Sequence, residues 1–212
     1  MTEKRWLQVG AAGGILFVGL LFGSSLIGAA GEPAFDAPAN QWLAYVRNSH
    51  DALQTRGYAA EPALTCFLLF VGCLYRRLRR ANRASIPALT MVLSAGVMIT
   101  LLLAAGGAGG AALIRVGKDL DASAASILFA LANEFFVASW FAIGGMLFAS
   151  GLGALSSRAL PAWLGWSGLV IGLGMVIAVP LQLTPLWLIP YWLYLVWVVS
   201  VSVVFFRDAG RT

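Results

Sequence analysis

Long apolar runs, separated by charged or proline-containing turns, dominate this sequence. They cover about residues 6–30, 61–75, 87–114, 123–150, 162–183 and 187–206. About 20 apolar residues in a helix are enough to cross the ~30 Å hydrocarbon core of a bilayer. With 60% hydrophobic and 11% charged residues and a mean hydropathy of +0.84, the chain has too much apolar surface for one soluble core. The sequence therefore predicts an all-α polytopic bundle of six transmembrane helices.

We expect residues 1–212 to form a single membrane domain. The first apolar run exceeds the 7–15 residues that are typical of a signal-peptide core, so a retained first helix is favoured over a cleaved leader. Between the first two runs, Trp42, Val46, Ser49 and Leu53 recur at helical spacing in a polar stretch. This pattern predicts a short extracytoplasmic amphipathic helix over about residues 38–56, outside the apolar layer, either as a lid over a pocket or as an interfacial helix.

The basic residues favour one orientation of these helices. Six alternating spans would place ten of the 14 Lys and Arg residues on the side of both termini and four on the other side. By the positive-inside rule, the predicted location is the bacterial cytoplasmic (inner) membrane with both termini cytoplasmic. The net charge of +5 comes largely from short basic clusters beside apolar runs, which indicate topology and membrane lipids as partners. No nucleic acid is expected as a partner.

The chain offers little metal-binding chemistry. It contains one histidine, His50, and two cysteines, Cys66 and Cys73, which as helical residues would lie about 10 Å apart. This separation is too large for a disulfide, and the ligand spacings of a zinc or haem site are absent from the sequence. We therefore expect no metal and no cofactor.

One carboxyl interrupts the run over 123–150. Glu134 follows Asn133, and counting from Ile127 as the outer edge places it about 10 Å inside the bilayer. An ionised group at the centre of a membrane helix costs about 2.5–3.5 kcal/mol on insertion scales, so it needs a partner or a function. On a helical wheel, Asn133 shares a stripe with Val137, Trp140 and Gly144. Glu134 shares the neighbouring stripe with Ala130, Ala138 and Phe141.

From this arrangement we predict acid catalysis in a pocket lined by aromatic side chains. Glu134, with Asn133 beside it, would act as the catalytic acid, because a carboxyl kept neutral in apolar surroundings can donate a proton. Aromatic faces would stabilise the resulting cation in a lipophilic substrate. This scheme resembles the working principle of small integral-membrane terpene cyclases, and it makes an acid-initiated isoprenoid cyclase or isomerase the leading hypothesis. The predicted substrate-binding residues are Trp140, Phe141, Glu61, Gln182, Trp187, Tyr191, Trp192 and Tyr194.

Two other functions stay open at this point. The same pocket would serve a lipid-binding or transport protein that performs no chemistry on a lipophilic small molecule. Alternatively, Glu134 is interhelical hydrogen-bond glue in a structural accessory subunit, and a homo-oligomer belongs to the same class. Whether the protein is an enzyme is therefore undecided by the sequence.

Three stretches carry a resemblance to a known group of proteins. They are the turn over 158–166 (RALPAWLGW), the exit from the second span over 74–79 (LYRRLR), and the polar helix that precedes that span. Together they resemble small six-helix bacterial integral membrane proteins of a domain-of-unknown-function family. The resemblance implies the six-helix architecture and assigns no catalytic residue.

Overall fold

The computed structural model describes residues 2–33, 37–81, 85–116, 121–181 and 188–211, and within these ranges all regular structure is helical. The all-α prediction is confirmed there. The helices are α1 (Glu3–Leu26), α2 (Ala39–Asn48), α3 (His50–Arg80), α4 (Ile86–Val116), α5 (Ala122–Ser157), α6 (Ala162–Ala178) and α7 (Ile189–Ala209), with a 3-10 turn over Val179–Leu181.

Five helices are long and apolar enough to cross a bilayer, namely α1, α3, α4, α5 and α7. The chain is accordingly a membrane protein. The apolar helix α6 has 17 residues and is shorter than these five. It leads into the 3-10 turn at Pro180, whereas the predicted span continued to residue 183. The six-span count stays a prediction.

The helix that contains the predicted second span begins earlier than that span. We predicted a start at Glu61 and Pro62, but α3 begins at His50 and continues through Pro62. The predicted polar helix over 38–56 is divided at Ser49, so that residues 50–56 belong to α3. Proline removes one backbone donor from the helix, and the contacts of the preceding turns outweigh this loss. Leu53 packs in a cluster with α2, and Arg56 forms an ion pair with Glu32 at 3.0 Å.

The six longer helices form a ring. Their order around the ring is α1, α3, α4, α5, α6 and α7, and each helix packs against the next. The ring closes where α7 packs against α1. One end of the ring, which we call the arginine-rich end, contains the C-terminal ends of α3, α5 and α7 and the beginnings of α1, α4 and α6. Its arginines include Arg76, Arg77, Arg79, Arg80, Arg158 and Arg207. The opposite end contains α2 and the beginnings of α3, α5 and α7.

Glycines let the helix backbones approach closely within the ring. A Cβ atom at Gly13 of α1 would lie 2.7 Å from the carbonyl oxygen of Cys66 on α3. On α5, a Cβ at Gly144 would lie 2.9 Å from the carbonyl oxygen of Gly172, and one at Gly151 would lie 2.7 Å from that of Gly165. Small residues at these positions are what close packing of membrane helices requires.

A second, smaller cluster lies at the opposite end. It joins Leu43 and Val46 of α2 to Leu53 of α3, Leu113 of α4 and Ala125 of α5. The rings of Trp42 and Phe129 stack beside it with centroids 4.0 Å apart. This cluster connects α2 to the protruding ends of α3, α4 and α5. The location of α2 outside the membrane stays a prediction.

The contact at Gly13 predicts a difference between two substitutions in α1. Gly13→Ala places a methyl group against backbone that cannot rotate away, and we expect it to destabilise the fold by about 1–3 kcal/mol. Gly19→Ala meets nothing within 4 Å and should be neutral or stabilising by up to about 1 kcal/mol. Thermal unfolding midpoints in one detergent would measure the two effects, and equal midpoints would contradict the close α1–α3 contact.

Candidate functional site

The helical wheel of α5 separates Asn133 from Glu134. Val137 and Trp140, on the stripe of Asn133, are 3% and 0% exposed, so this stripe faces the interior of the ring. Asn133 itself is half-buried. Phe141, on the stripe of Glu134, is 52% exposed, and the Glu134 side chain is exposed as well. Of the two predicted catalytic residues, only Asn133 is on the inward stripe.

The helix α5 is longer than the predicted span over 123–150. The helix continues to Ser157 at the arginine-rich end, 23 residues beyond Glu134. At about 1.5 Å per residue this is about 35 Å, more than the ~30 Å thickness of a hydrocarbon core. The predicted depth of Glu134, about 10 Å inside the bilayer, stays a prediction.

Aromatic rings from three helices meet inside the ring. We call Phe17 of α1, Phe136 and Trp140 of α5, and Tyr191 and Tyr194 of α7 the aromatic cluster. Trp140 and Tyr191 are parallel, with centroids 5.8 Å apart and an interplanar angle of 5°. The edge of Phe136 contacts both of them, at 5.8 Å from Trp140 and 5.3 Å from Tyr191. Tyr194 lies 6.1 Å from Tyr191 and 6.4 Å from Phe17.

The aromatic cluster continues toward the arginine-rich end. Phe17 lies 4.7 Å from Phe67 of α3, which is followed by Phe70 and then by Phe205 of α7. All three are fully buried. These three phenylalanines therefore form an apolar core beyond Tyr194. The polar atoms of the aromatic cluster belong to its Trp and Tyr members.

The structure brings together three of the predicted substrate-binding residues, Trp140, Tyr191 and Tyr194. Glu61 is exposed on α3. Trp192 is 47% exposed, and its ring meets the edge of Phe22 of α1 at 6.2 Å. Phe141 points outward, as described above. Gln182 and Trp187 lie outside the described residues.

Sequence reasoning missed Phe17 and Phe136. Phe136 lies less than one turn after Asn133, and it could have been added to the inward face once that face was known. For Phe17 no signal was available, because nothing in the sequence of α1 shows that it packs between α3 and α7.

The hydroxyl of Tyr194 is the distinctive polar atom of the aromatic cluster. Tyr194 is 1% exposed, and its hydroxyl has no hydrogen-bond partner among the described residues. A buried donor without an acceptor costs about 1–3 kcal/mol. Buried tyrosine hydroxyls usually find a partner, so this atom marks a place where an acceptor belongs.

No protein-family model, curated protein or solved structure matches this chain. The resemblance to the six-helix family of unknown function therefore stays a prediction. The site is defined by its geometry alone.

The two neighbouring aromatics of α5 give a test of which face is buried. Trp140→Ala removes a fully buried ring and should destabilise the protein by about 3–5 kcal/mol. Phe141→Ala removes a ring that is half exposed on the outer face and should cost less than about 1 kcal/mol in detergent. Thermal unfolding of both variants measures the difference, and a larger effect at Phe141 would reverse the assignment of the α5 faces.

Proposed function

We propose that this protein binds a lipophilic small molecule in the aromatic cluster without transforming it. The Tyr194 hydroxyl would donate a hydrogen bond to an oxygen atom of that molecule. The observation that carries this proposal is the buried hydroxyl of Tyr194, which lacks an acceptor among the described residues.

The chemistry of the cluster defines the class of ligand. The surfaces that surround Tyr194 are the ring faces and edges of Tyr191 and Phe17, which favour an apolar molecule or a flat conjugated one. The Tyr194 hydroxyl would pair with one acceptor of such a molecule, for example a carbonyl or ether oxygen. Satisfying a buried donor is worth more than the same bond in water, because the unbound state leaves it unpaired.

Tyr191 is the ring that would admit the ligand. It is the third residue of α7 and is half-buried, whereas Trp140 and Tyr194 are fully buried. Moving its ring away from Trp140 would leave a flat slot between the indole face and Tyr194. Asn133 lies two turns, about 10 Å, from Trp140 on the same stripe of α5, toward the opposite end. Its partly exposed amide would be the first polar group that a ligand meets.

The position of Glu134 favours binding over acid catalysis. Glu134 precedes Trp140 by six residues, which places the two about 120° apart around the helix. Its carboxyl is exposed on the outer face while the cluster is inside. An acid-initiated cyclase or isomerase would need this side chain to reach the interior. As interhelical glue, Glu134 would need a hydrogen-bond partner on that outer face.

The finer architecture is part of the same proposal. We assign α6 as the sixth span and place the arginine-rich end in the cytoplasm of a bacterial cell, with both termini on that side. The supporting observation is the concentration of arginines at one end of the ring, which is what the positive-inside rule requires.

Tyr194→Phe tests the role of the hydroxyl, because it deletes one oxygen atom and keeps the ring. We expect the variant to lose a lipophilic molecule that copurifies with the wild type, as detected by native mass spectrometry of protein in mild detergent. Ligand-free variant should unfold at the same temperature as ligand-free wild type or higher, since an unsatisfied buried donor has been removed. Tyr58→Phe is the matched control, because Tyr58 is 60% exposed.

Two outcomes would contradict the proposal. One is the absence of any bound lipophilic molecule on the wild type. The other is a lower unfolding temperature for ligand-free Tyr194→Phe, which would mean that the hydroxyl already has an acceptor within the folded chain.

Glu134→Gln separates binding from acid catalysis. Because the side chain is exposed, we expect the bound molecule to be retained and the stability to change by less than about 0.5 kcal/mol. Incubating both proteins with isoprenoid alcohols and epoxides, followed by product analysis, measures the chemical role. If the wild type forms a product and Glu134→Gln does not, the catalytic hypothesis is supported and the proposal of binding without chemistry is wrong.

A further inference from the structure

An open cleft of about 650 Å³ lies at the arginine-rich end, far from the aromatic cluster. It is lined by Tyr75, Arg76, Arg79 and Arg80 from the last turns of α3, and we call it the arginine cleft. The beginning of α1 lies beside it. The guanidinium of Arg76 is 5.1 Å from the ring centre of Trp6, and Arg80 forms an ion pair with Glu3.

Of the four arginines in the last turns of α3, two are neutralised by carboxylates and two are not. Arg77 donates to Asp208 at 2.5 Å and to the carbonyl of Ala159 at 3.1 Å. Arg80 is paired with Glu3. Among the described residues, no carboxylate pairs with Arg76 or Arg79. The cleft therefore presents two uncompensated positive charges on adjacent turns of one helix.

The outer face of α3 connects these charges to the apolar layer. Gly72 lies one turn before Arg76 on the same face, is exposed, and has no other atom within 4 Å of the position where a Cβ would be. Leu68 and Leu69 nearby are 40% and 44% exposed. We call this open position at Gly72, between Arg76 and the exposed Leu68 and Leu69, the notch.

We propose that the arginine cleft binds the phosphate group of an anionic membrane lipid, and that one acyl chain of this lipid lies in the notch at Gly72. Guanidinium groups match phosphate oxygens with paired hydrogen bonds and are weakly hydrated, which suits a headgroup site. Trp6 and Tyr75 supply the amphipathic rings that prefer headgroup depth. Free phosphate shares the headgroup chemistry, but only a lipid uses both the arginines and the notch.

The test uses the full chain in neutral detergent, titrated with dioleoyl phosphatidylglycerol and, in parallel, with dioleoyl phosphatidylcholine. Native mass spectrometry counts the bound lipid. Each basic residue near a membrane surface strengthens the binding of an anionic lipid roughly fivefold, so the double variant Arg76→Gln/Arg79→Gln should bind phosphatidylglycerol about 25-fold more weakly. Its binding of phosphatidylcholine should not change. The single variant Arg79→Gln changes an exposed position, and its affinity for phosphatidylglycerol should fall about fivefold. It replaces the double variant in the test if the double variant fails to fold.

Arg207→Gln is the matched control, because Arg207 is an exposed arginine at the same end that does not line the cleft. It should bind phosphatidylglycerol within twofold of the wild type. An equal loss of phosphatidylglycerol affinity in Arg207→Gln and Arg79→Gln would contradict a specific site. The arginines would then act only through the total charge at this end and through the orientation of the protein in the membrane. Displacement of the lipid by an equal concentration of inorganic phosphate would assign the cleft to free phosphate and overturn the lipid.

Gly72→Leu tests the acyl chain. A Cβ atom at this exposed position has no other protein atom within 4 Å, so we expect the fold to tolerate the substitution while the notch is filled. We expect several-fold weaker binding of dioleoyl phosphatidylglycerol and unchanged binding of its water-soluble headgroup, glycerophosphoglycerol. Unchanged binding of the long-chain lipid would overturn the acyl-chain part of the proposal.

Discussion

Close backbone contact at glycines is the constraint on which the rest of this structure depends. Lipid tails are as apolar as leucine, so helices in a bilayer gain little by burying ordinary apolar side chains against each other. What remains is dispersion, which grows as the helices approach. Gly13 lets α1 lie against the backbone of α3, and the pairs Gly144–Gly172 and Gly151–Gly165 do the same for α5 and α6. Because α1 lies this close to α3, Phe17 reaches Phe67 and Tyr194 and joins the aromatic cluster.

Arginines connect the helices of this ring at both ends. At the arginine-rich end, Arg77 of α3 bonds Asp208 of α7 and the carbonyl of Ala159 in the turn before α6. At the opposite end, Arg56 of α3 donates to the carbonyls of Ser24 and Ser25 and to Glu32. The last carbonyls of a helix have no partner within it, so Arg56 caps α1 while it pairs with the carboxylate. Thus α3 is connected to its neighbours by its charged ends as well as by its apolar face.

Periodicity was enough to predict much of α5, and its limits explain what was wrong. The 3.6-residue repeat placed Asn133, Val137, Trp140 and Gly144 on one stripe, which is the buried one. It could not say whether that stripe or its neighbour faced inward, because both carry aromatic residues. The apolar run suggested an end near Ser150, whereas α5 continues to Ser157. The packing of α1 between α3 and α7 depends on contacts between residues distant in sequence, which one sequence does not reveal.

The contrast between Glu134 and Tyr194 shows that burial, more than charge, decides which polar group needs an explanation. An ionised carboxyl is far more costly to bury than a phenol, so the sequence directs attention to Glu134 first. The Glu134 carboxyl, however, is exposed on the outer face of α5. The phenol hydroxyl of Tyr194 is enclosed by rings from α1 and α7. Water is excluded there, so no hydrogen bond to water offsets the cost of a missing partner. A ligand oxygen at that point would remove a cost which the fold otherwise bears, and this is why we propose Tyr194 as the binding residue.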